Sequence, residues 1–294
     1  MNRTLRHKDN KIKRTYGVML GLLLCTVVIF VLVLTAALGK DTLGADDDVP
    51  LTEDAHAASE TILSSEEWKE IAPGTIVGAA QIDWDHLEQY FTVEEPDEEL
   101  HAYIQGKSYV DNGEISWTQL RYLKVLHYNY SHELQVGELL VNQQIAEVCC
   151  NIFRELFENE YEINSMYLVD RYYNTSELAA RDPDMADINS LNNNNTSAFH
   201  YRYVSDSDVL SQHAYGLAID INPLQNPYVT QEAQETQTSS GPYLMYQVYQ
   251  DRSVIREHMI THDDICYQIF TKYGFTWGGD WPGTKDYQHF EIAL

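Results

Sequence analysis

Two neighbouring apolar runs in the middle of the chain have the composition of β-strands. They cover residues 120–130 and 133–142 and are rich in leucine, valine or aromatic side chains. Because only a short polar turn separates them, the pattern predicts a β-hairpin. Residues 163–173 are predicted to form a further, buried strand, and the Asp- and Asn-rich residues that follow, through Asn195, a long loop.

Two other segments repeat apolar side chains at the 3.6-residue period of an α-helix. In the first, the repeat runs over residues 145–157, and Asn142 is placed to cap its start. The second lies within residues 261–274, where Thr261 is the candidate N-cap and Gly274 stands just past the end. The chain is therefore predicted to combine strands with helices.

A long uncharged segment lies near the N-terminus. Residues 1–15 carry a net charge of +5, and residues 16–38 contain no charged side chain. At about 1.5 Å per residue, such a run can cross a hydrocarbon core of about 30 Å. The basic flank places the N-terminus in the cytoplasm. We expect a single-pass anchor with the rest of the chain outside; the alternative is a cleaved signal peptide ending at the small residues 35–37.

Charge and composition divide the remainder of the chain. The formal net charge of the whole chain is −26, which argues against a nucleic-acid partner, because a protein that binds nucleic acid needs basic side chains to displace counterions from phosphates. Residues 39–60 are acidic and poor in large apolar side chains, so they are predicted to be a solvated linker. Residues 61–114 are predicted to be an N-terminal extension, helical or irregular, and residues 115–294 a single C-terminal domain.

Three cysteines lie outside the apolar N-terminal segment: Cys149, Cys150 and Cys266. Buried thiols are the favoured interpretation, and a bridge from one of the adjacent pair to Cys266 is the alternative. The chain has no C-x-x-C pair, so a zinc site built from thiolates has little support.

Residues 211–223, SQHAYGLAIDINP, place a histidine seven residues before an aspartate. His213 precedes the predicted strand LAIDI, in which Asp220 points away from the side that carries the leucine and isoleucines. A catalytic zinc site needs three ligands of the His, Asp, Glu or Cys type and one open position. His213 and Asp220 can supply two if the loop folds back beside the strand, and His289 in DYQHFE is the candidate third ligand.

Acid–base and cationic groups accompany these candidate ligands. Asp286, three residues before His289, is the candidate general base, because a carboxylate there can accept a proton from water and return it to a leaving amine. Arg202 is the candidate contact for a developing oxyanion or a substrate carboxylate, and Arg171 is the alternative.

Each of these residues has an ordinary structural explanation when taken alone, but their joint occurrence is specific. The segments NTSAFHYR (195–202), SQHAYGLAIDINP (211–223) and WGGDWPGTKDYQHFE (277–291) resemble the zinc D-alanyl-D-alanine carboxypeptidase family. That family also includes L-alanyl-D-glutamate endopeptidases, and it shares its fold with the Hedgehog signalling domain. The resemblance covers roughly residues 115–294.

The resemblance implies a fold, a cofactor and site residues. The implied fold is α+β, a small, mainly antiparallel sheet with flanking helices on one face and the zinc in a groove on the other, here preceded by the transmembrane helix. The implied ligands of a Zn²⁺ ion are His213, Asp220 and His289, and the implied catalytic residues are Asp286 and Arg202. Many relatives carry Glu where this chain has Asp286, which keeps Glu291 open as the base.

The implied activity is hydrolysis of peptidoglycan stem peptides by an anchored zinc carboxypeptidase that faces the cell wall. An endopeptidase that cuts L-Ala–D-Glu or a crossbridge is the alternative, because it differs only in needing an open groove instead of a contact for the terminal carboxylate. A non-catalytic wall-binding module is the second alternative. It is disfavoured because all three candidate ligands and a carboxylate are present. The sequence gives no indication of oligomeric state.

Overall fold

The computed structural model describes residues 61–173, 183–204, 207–230 and 248–294. None of the helices in these ranges has the length and apolar character needed to cross a membrane. The predicted tail, anchor and linker, residues 1–60, lie outside the described residues, so these three assignments stay predictions.

Short helices and strands alternate along the described residues, which gives the α+β class that the family resemblance implied. The main helices are α1 (Ser65–Glu70), α2 (Glu98–Ile104), α3 (Ala146–Glu158), α4 (Pro183–Asn192) and α5 (Ile265–Lys272). The strands are β1 (Ile76–Val77), β2 (Phe91–Glu94), β3 (Leu120–Tyr128), β4 (Leu134–Asn142), β5 (Ser165–Met166), β6 (Asn195–Thr196), β7 (Ala218–Asp220), β8 (Tyr228–Val229), β9 (Thr276–Trp277), β10 (Lys285–Asp286) and β11 (His289–Glu291).

The largest sheet has four antiparallel strands in the order β1–β4–β3–β2. The predicted hairpin is confirmed as its centre, since β3 and β4 pair from Leu120↔Asn142 to Tyr128↔Leu134. The two outer strands come from residues 61–114, so the segment predicted as an extension is part of this sheet. The boundary at residue 115 remains a prediction.

Both faces of the hairpin are buried, which explains why its strands are apolar almost throughout. On one face, Leu123 and Leu139 belong to the same buried cluster as Phe153 of α3. On the other face, Leu140 packs in a second cluster with Ile104 of α2. Helices and loops therefore cover this sheet on both sides, and not on one side as expected.

A smaller sheet, β7–β11–β9, carries the candidate ligands Asp220 and His289 and is antiparallel throughout. Aromatic stacking fixes it to the core: the rings of Phe270 in α5 and Phe290 in β11 are stacked with centroids 4.2 Å apart, and both side chains are fully buried. Phe270 in turn meets Phe153 edge to face. The strand that bears His289 is thereby held against the main core.

The predicted strand over residues 163–173 is wrong for most of its length. Only Ser165–Met166 is a strand, and Val169–Tyr172 form a 3₁₀ turn. The side chain of Asn195 accounts for the early end, because it accepts a hydrogen bond from the Tyr167 amide and donates one to the Tyr167 carbonyl, both at 2.9 Å. A side chain thus takes the place of a further strand.

The predicted loop before Asn195 contains the helix α4, which is a second correction. Among the described side chains of this helix, the small Ala186 and Ser190, one turn apart, are buried, whereas the large Met185 and Ile188 are exposed. A periodicity argument depends on large apolar side chains and therefore misses such a helix. Pro183 at its first position is compatible with a helix start, because the proline lacks an N–H that would be unpaired there.

Both predicted helices 145–157 and 261–274 are present, but their caps differ from the prediction. Helix α3 begins after Ile145, and the Asn142 side chain donates to the Tyr215 carbonyl instead of capping it. Helix α5 is capped by Asp264, which accepts from the Cys266 amide, and not by Thr261. Gly274 follows the end of α5 with φ +93°, as predicted.

The three cysteines of the described residues are free and buried, as expected for core thiols.

Candidate metal centre

The turn that presents His213 is built by its flanking residues. Residues Gln212–Tyr215 form a 3₁₀ turn, and the Ser211 hydroxyl accepts from the His213 amide. Gly216 ends the turn with φ +66°, a left-handed conformation that favours glycine. A Cβ at Gly216 would also lie 2.6 Å from the Asn142 amide nitrogen. The S-x-H-x-x-G spacing is therefore explained by the local backbone.

The two other candidate ligands face each other across adjacent strands. Asp220 ends β7 and His289 begins β11, and the two residues are direct partners in the antiparallel register. The turn that carries His213 is hydrogen-bonded to the segment that contains His200, since the His200 amide donates to the His213 carbonyl. Residues 76 positions apart are thereby brought together.

Three ligand-type atoms meet in a nearly equilateral triangle. His213 Nε2 lies 3.2 Å from His289 Nδ1 and 3.2 Å from Asp220 Oδ1, and the last two atoms are 3.1 Å apart. All three side chains are buried. For tetrahedral zinc with bonds of about 2.0–2.1 Å, neighbouring ligand atoms are about 3.3 Å apart. The group can hold a metal ion, and it is the one group with this geometry within the described ranges.

The ring nitrogens on the far side of each histidine are also occupied. His213 Nδ1 donates to the Ala198 carbonyl at 2.6 Å, which leaves Nε2 free of its proton in the neutral ring. His289 Nε2 lies 3.2 Å from the Glu291 carboxylate. Such partners fix the ring orientation and the tautomer of a metal-binding histidine. Both rings are therefore prepared to direct the correct nitrogen into the triangle.

The charges of the cluster favour a cation between the ligands. Burial works against ionisation of Asp220, but the His213 and His289 side chains hold the pKa of its carboxyl well below the usual range. Burial would lower the pKa of His289, yet its hydrogen bonds to Asp220 and Glu291 raise it. An ionised aspartate thus lies beside two imidazoles, and a metal ion would bind in competition with protons.

Asp286 lies at the edge of this cluster, in the β10 strand that pairs with β8. Its Oδ1 atom is buried and has no hydrogen-bond partner among the described residues. Burial first, and the charge of Asp220 second, raise the pKa of the Asp286 carboxyl, while the charges of His289 and Arg202 oppose that rise. A buried carboxylate oxygen without a partner, close to a metal-type cluster, has the properties of a proton acceptor.

Gly278 of the WGGDW segment makes the close approach of Asp286 possible. A Cβ at this position would lie 2.5 Å from the Asp286 carbonyl oxygen and 3.2 Å from the His289 Cβ. Any side chain there would push the backbone that carries Asp286 away. The glycine therefore belongs to the site, and it lies in the segment WGGDWPGTKDYQHFE (277–291), which carries part of the family resemblance.

The two candidate arginines lie in different surroundings. Arg202 is nearly buried, and its Nη2 lies 3.0 Å from Asp187 Oδ2. Its main chain is bonded to the segment that carries His213, because the Ser211 amide donates to the Arg202 carbonyl. The guanidinium of Arg171 instead stacks on the Tyr167 ring at 4.1 Å. The geometry favours Arg202 as the cation of the site.

Glu291, the alternative base, contacts the ring nitrogen of His289 that points out of the triangle. Its hydrogen bond to His289 is the main reason that the pKa of Glu291 is lowered. In this position Glu291 can orient the candidate metal ligand His289. It is poorly placed to act as the general base, which must face the reacting peptide. Sequence reasoning missed this role, although the two-residue spacing along a strand could have indicated it, since such residues share a face.

Part of the chain matches a known protein family. Residues 205–292 match the family described as D-alanyl-D-alanine carboxypeptidase. The resemblance inferred from the motifs is confirmed over this segment, which contains the three candidate ligands and Asp286 but not Arg202. Searches of the curated proteins and of the solved structures found no match to the chain. The match supports a peptidase function of this general type.

Proposed function

We propose that this protein is a zinc-dependent carboxypeptidase that removes the terminal D-alanine from peptidoglycan stem peptides. The observation that carries the proposal is the triangle of His213 Nε2, Asp220 Oδ1 and His289 Nδ1, with sides of 3.1–3.2 Å, inside the segment that matches the family. The donor set of two imidazoles and one carboxylate suits zinc and leaves a fourth position open.

Each residue around the triangle has a separate role in the proposed reaction. Bound zinc would supply Lewis acidity, which polarises a peptide carbonyl and lowers the pKa of water to about 7. Asp286 accepts the proton of the attacking water through its unpaired Oδ1 and returns it to the leaving amine. Arg202 donates hydrogen bonds to the developing oxyanion or to the terminal carboxylate of the substrate. Glu291 holds His289 in position.

Digestion of purified pentapeptide muropeptides, read by mass spectrometry with and without a chelator, tests this proposal. We expect loss of one alanine residue from the stem and no loss after chelation. Release of fragments cut between L-Ala and D-Glu, or within a crossbridge, would identify an endopeptidase instead. Unchanged muropeptides with metal at full occupancy would favour a non-catalytic wall-binding module.

We also propose that residues 16–38 anchor the protein in the membrane with its C-terminal part facing the wall. The support is the uncharged run behind a tail of net charge +5. Protease added to intact cells should release a fragment that contains the peptidase segment, while the N-terminal tail stays inside. A mature chain found in the medium with its N-terminus near Leu38 would mean that the segment is a cleaved signal peptide.

A further inference from the structure

A carboxylate from α4 contacts the guanidinium of Arg202. Asp187 Oδ2 lies 3.0 Å from Arg202 Nη2, and the two side chains are only 17% and 14% exposed. Charge-assisted contacts of this kind are short and directional, since the guanidinium presents its donors in a rigid plane. Asp187 lies 15 residues before Arg202 in the sequence, so the contact links two separate segments of the fold.

Asp187 is itself held in place by a chain of polar contacts. His200 Nδ1 lies 3.5 Å from Asp187 Oδ1, and His200 Nε2 lies 2.9 Å from the Tyr173 hydroxyl. Burial raises the pKa of the Asp187 carboxyl, but Arg202 and His200 outweigh burial, and the net shift is downward. Asp187 is therefore an ionised, nearly buried group with fixed neighbours.

The segment whose side chains contact Asp187 is hydrogen-bonded through its backbone to the part of the chain that contains His213. The His200 amide donates to the carbonyl of His213, and the Ser211 amide donates to the carbonyl of Arg202, both at 3.1 Å. The segment with His200 and Arg202 thus runs beside the turn that presents the first metal ligand. A shift of Asp187 would be transmitted to Arg202 at close range.

We infer that Asp187 is a positioning residue that holds the Arg202 guanidinium toward the reacting end of the peptide. The inference rests on the proposed function, because it assigns Arg202 a task in the same reaction. An arginine side chain has four rotatable bonds and loses much rotamer entropy when it is fixed. A carboxylate that fixes one edge of the guanidinium in advance removes this loss from the reaction and keeps the remaining donors directed at the substrate.

A double-mutant cycle tests whether Asp187 acts through Arg202. Asp187→Asn keeps the shape of the side chain and removes its charge, so we expect kcat/KM on the muropeptide substrate to fall about tenfold or more. Asp187→Glu keeps the charge and should recover part of that loss. In an Arg202→Ala background, Asp187→Asn should change kcat/KM by less than about twofold, because the two residues act as one unit.

A control variant shows whether the loss of an ion pair outside the site also lowers kcat/KM. Lys272 and Glu155 form a 2.8 Å pair between α5 and α3 that is not part of the site. Glu155→Gln should leave kcat/KM unchanged in both backgrounds. An equal, independent loss from Asp187→Asn with and without Arg202 would overturn the inference.

A crystal structure of the Asp187→Asn protein gives a readout that does not depend on activity. The Arg202 guanidinium should be displaced or split between rotamers, while the triangle of His213, Asp220 and His289 keeps its dimensions. An Arg202 side chain unchanged in position would overturn the inference even if the variant were inactive. If the wild-type protein cleaves no muropeptide, the proposed function fails, and the crystal structure still decides the positioning role of Asp187.

Discussion

Asp220 and His289 are direct partners across β7 and β11, and their Oδ1 and Nδ1 atoms lie 3.1 Å apart. The site therefore depends on strand register as well as on ligand identity. A slip of one residue in either strand would turn one of the two side chains to the opposite face. Phe290, stacked on Phe270 in the core, fixes this register from the neighbouring position.

The assignment of the general base leads to a first prediction. Asp286→Asn should keep the metal and lower kcat by about 10²-fold or more, the usual contribution of a general base. Asp286→Glu should retain part of the activity, since its carboxylate reaches further. Metal content by mass spectrometry and steady-state kinetics on muropeptides measure the two effects separately.

Glu291→Gln is the informative comparison for that experiment. Because Glu291 contacts the outer nitrogen of His289, its loss should weaken metal affinity by about 10–100-fold, with activity recovered at saturating metal. If Asp286→Asn turned over normally while Glu291→Gln stayed inactive at full metal occupancy, Glu291 would be the base.

A second prediction concerns Gly278, where a Cβ would lie 2.5 Å from the Asp286 carbonyl oxygen. Gly278→Ala should displace the Asp286 backbone and destabilise the fold by roughly 1–3 kcal/mol, the usual range for overpacking. Its activity should fall more than its metal content. Gly113→Ala is a suitable control, because nothing lies within 4 Å of a Cβ at that position. Equal activities and unfolding midpoints for the two variants would show that the close approach is unimportant.

The buried His127 of β3 should make the stability of the fold depend on pH. Burial lowers the pKa of His127 from 6.5 to about 4. As the pH falls from about 6.5 to about 4, the unfolded chain takes up a proton that the folded protein resists, so stability is lost across this window by up to roughly 3 kcal/mol. Below about pH 4 both states are protonated and this contribution stops changing.

Urea unfolding at pH 7 and at pH 4.5 measures this contribution if wild type is compared with His127→Gln. The difference in unfolding free energy between the two pH values should be smaller for the variant, since glutamine does not titrate. The other ionisable groups cancel in the comparison. A variant as sensitive to pH as the wild type would mean that the pKa of His127 is the same in the folded and unfolded states.

The parts of the fold that the sequence predicts are those set by local pattern. The β3–β4 hairpin follows from two adjacent apolar runs, and α5 ends just before Gly274, as its sequence indicates. The strand over residues 163–173 fails because the Asn195 side chain, distant in sequence, occupies the hydrogen-bonding positions of Tyr167. In helix α4 the large apolar residues Met185, Ile188 and Leu191 recur only every third position among Asp and Asn residues, so its sequence resembles that of a loop.

The candidate site likewise has features that follow from local sequence motifs and features that depend on tertiary contacts. His213, Asp220, His289 and Asp286 stand in motifs with characteristic spacing, and the structure places the first three together, while their assignment as ligands stays a prediction. The contacts of Asp187 with Arg202 and of Glu291 with His289 depend on tertiary geometry. A search for spaced motifs cannot find an ion pair between a polar helix and a loop.

Zinc add-back to the metal-free protein measures metal stoichiometry and D-alanine release together, so it shows whether catalysis depends on one zinc held by the triangle. Activity should rise in proportion to added zinc and stop rising at one equivalent per chain. Zinc should restore no activity to His213→Ala or His289→Ala, and it should fully restore His132→Ala, whose histidine is exposed and lies outside the triangle. Full activity before zinc is added, or normal recovery of His289→Ala at one equivalent, would show that D-alanine release does not depend on zinc held by this triangle.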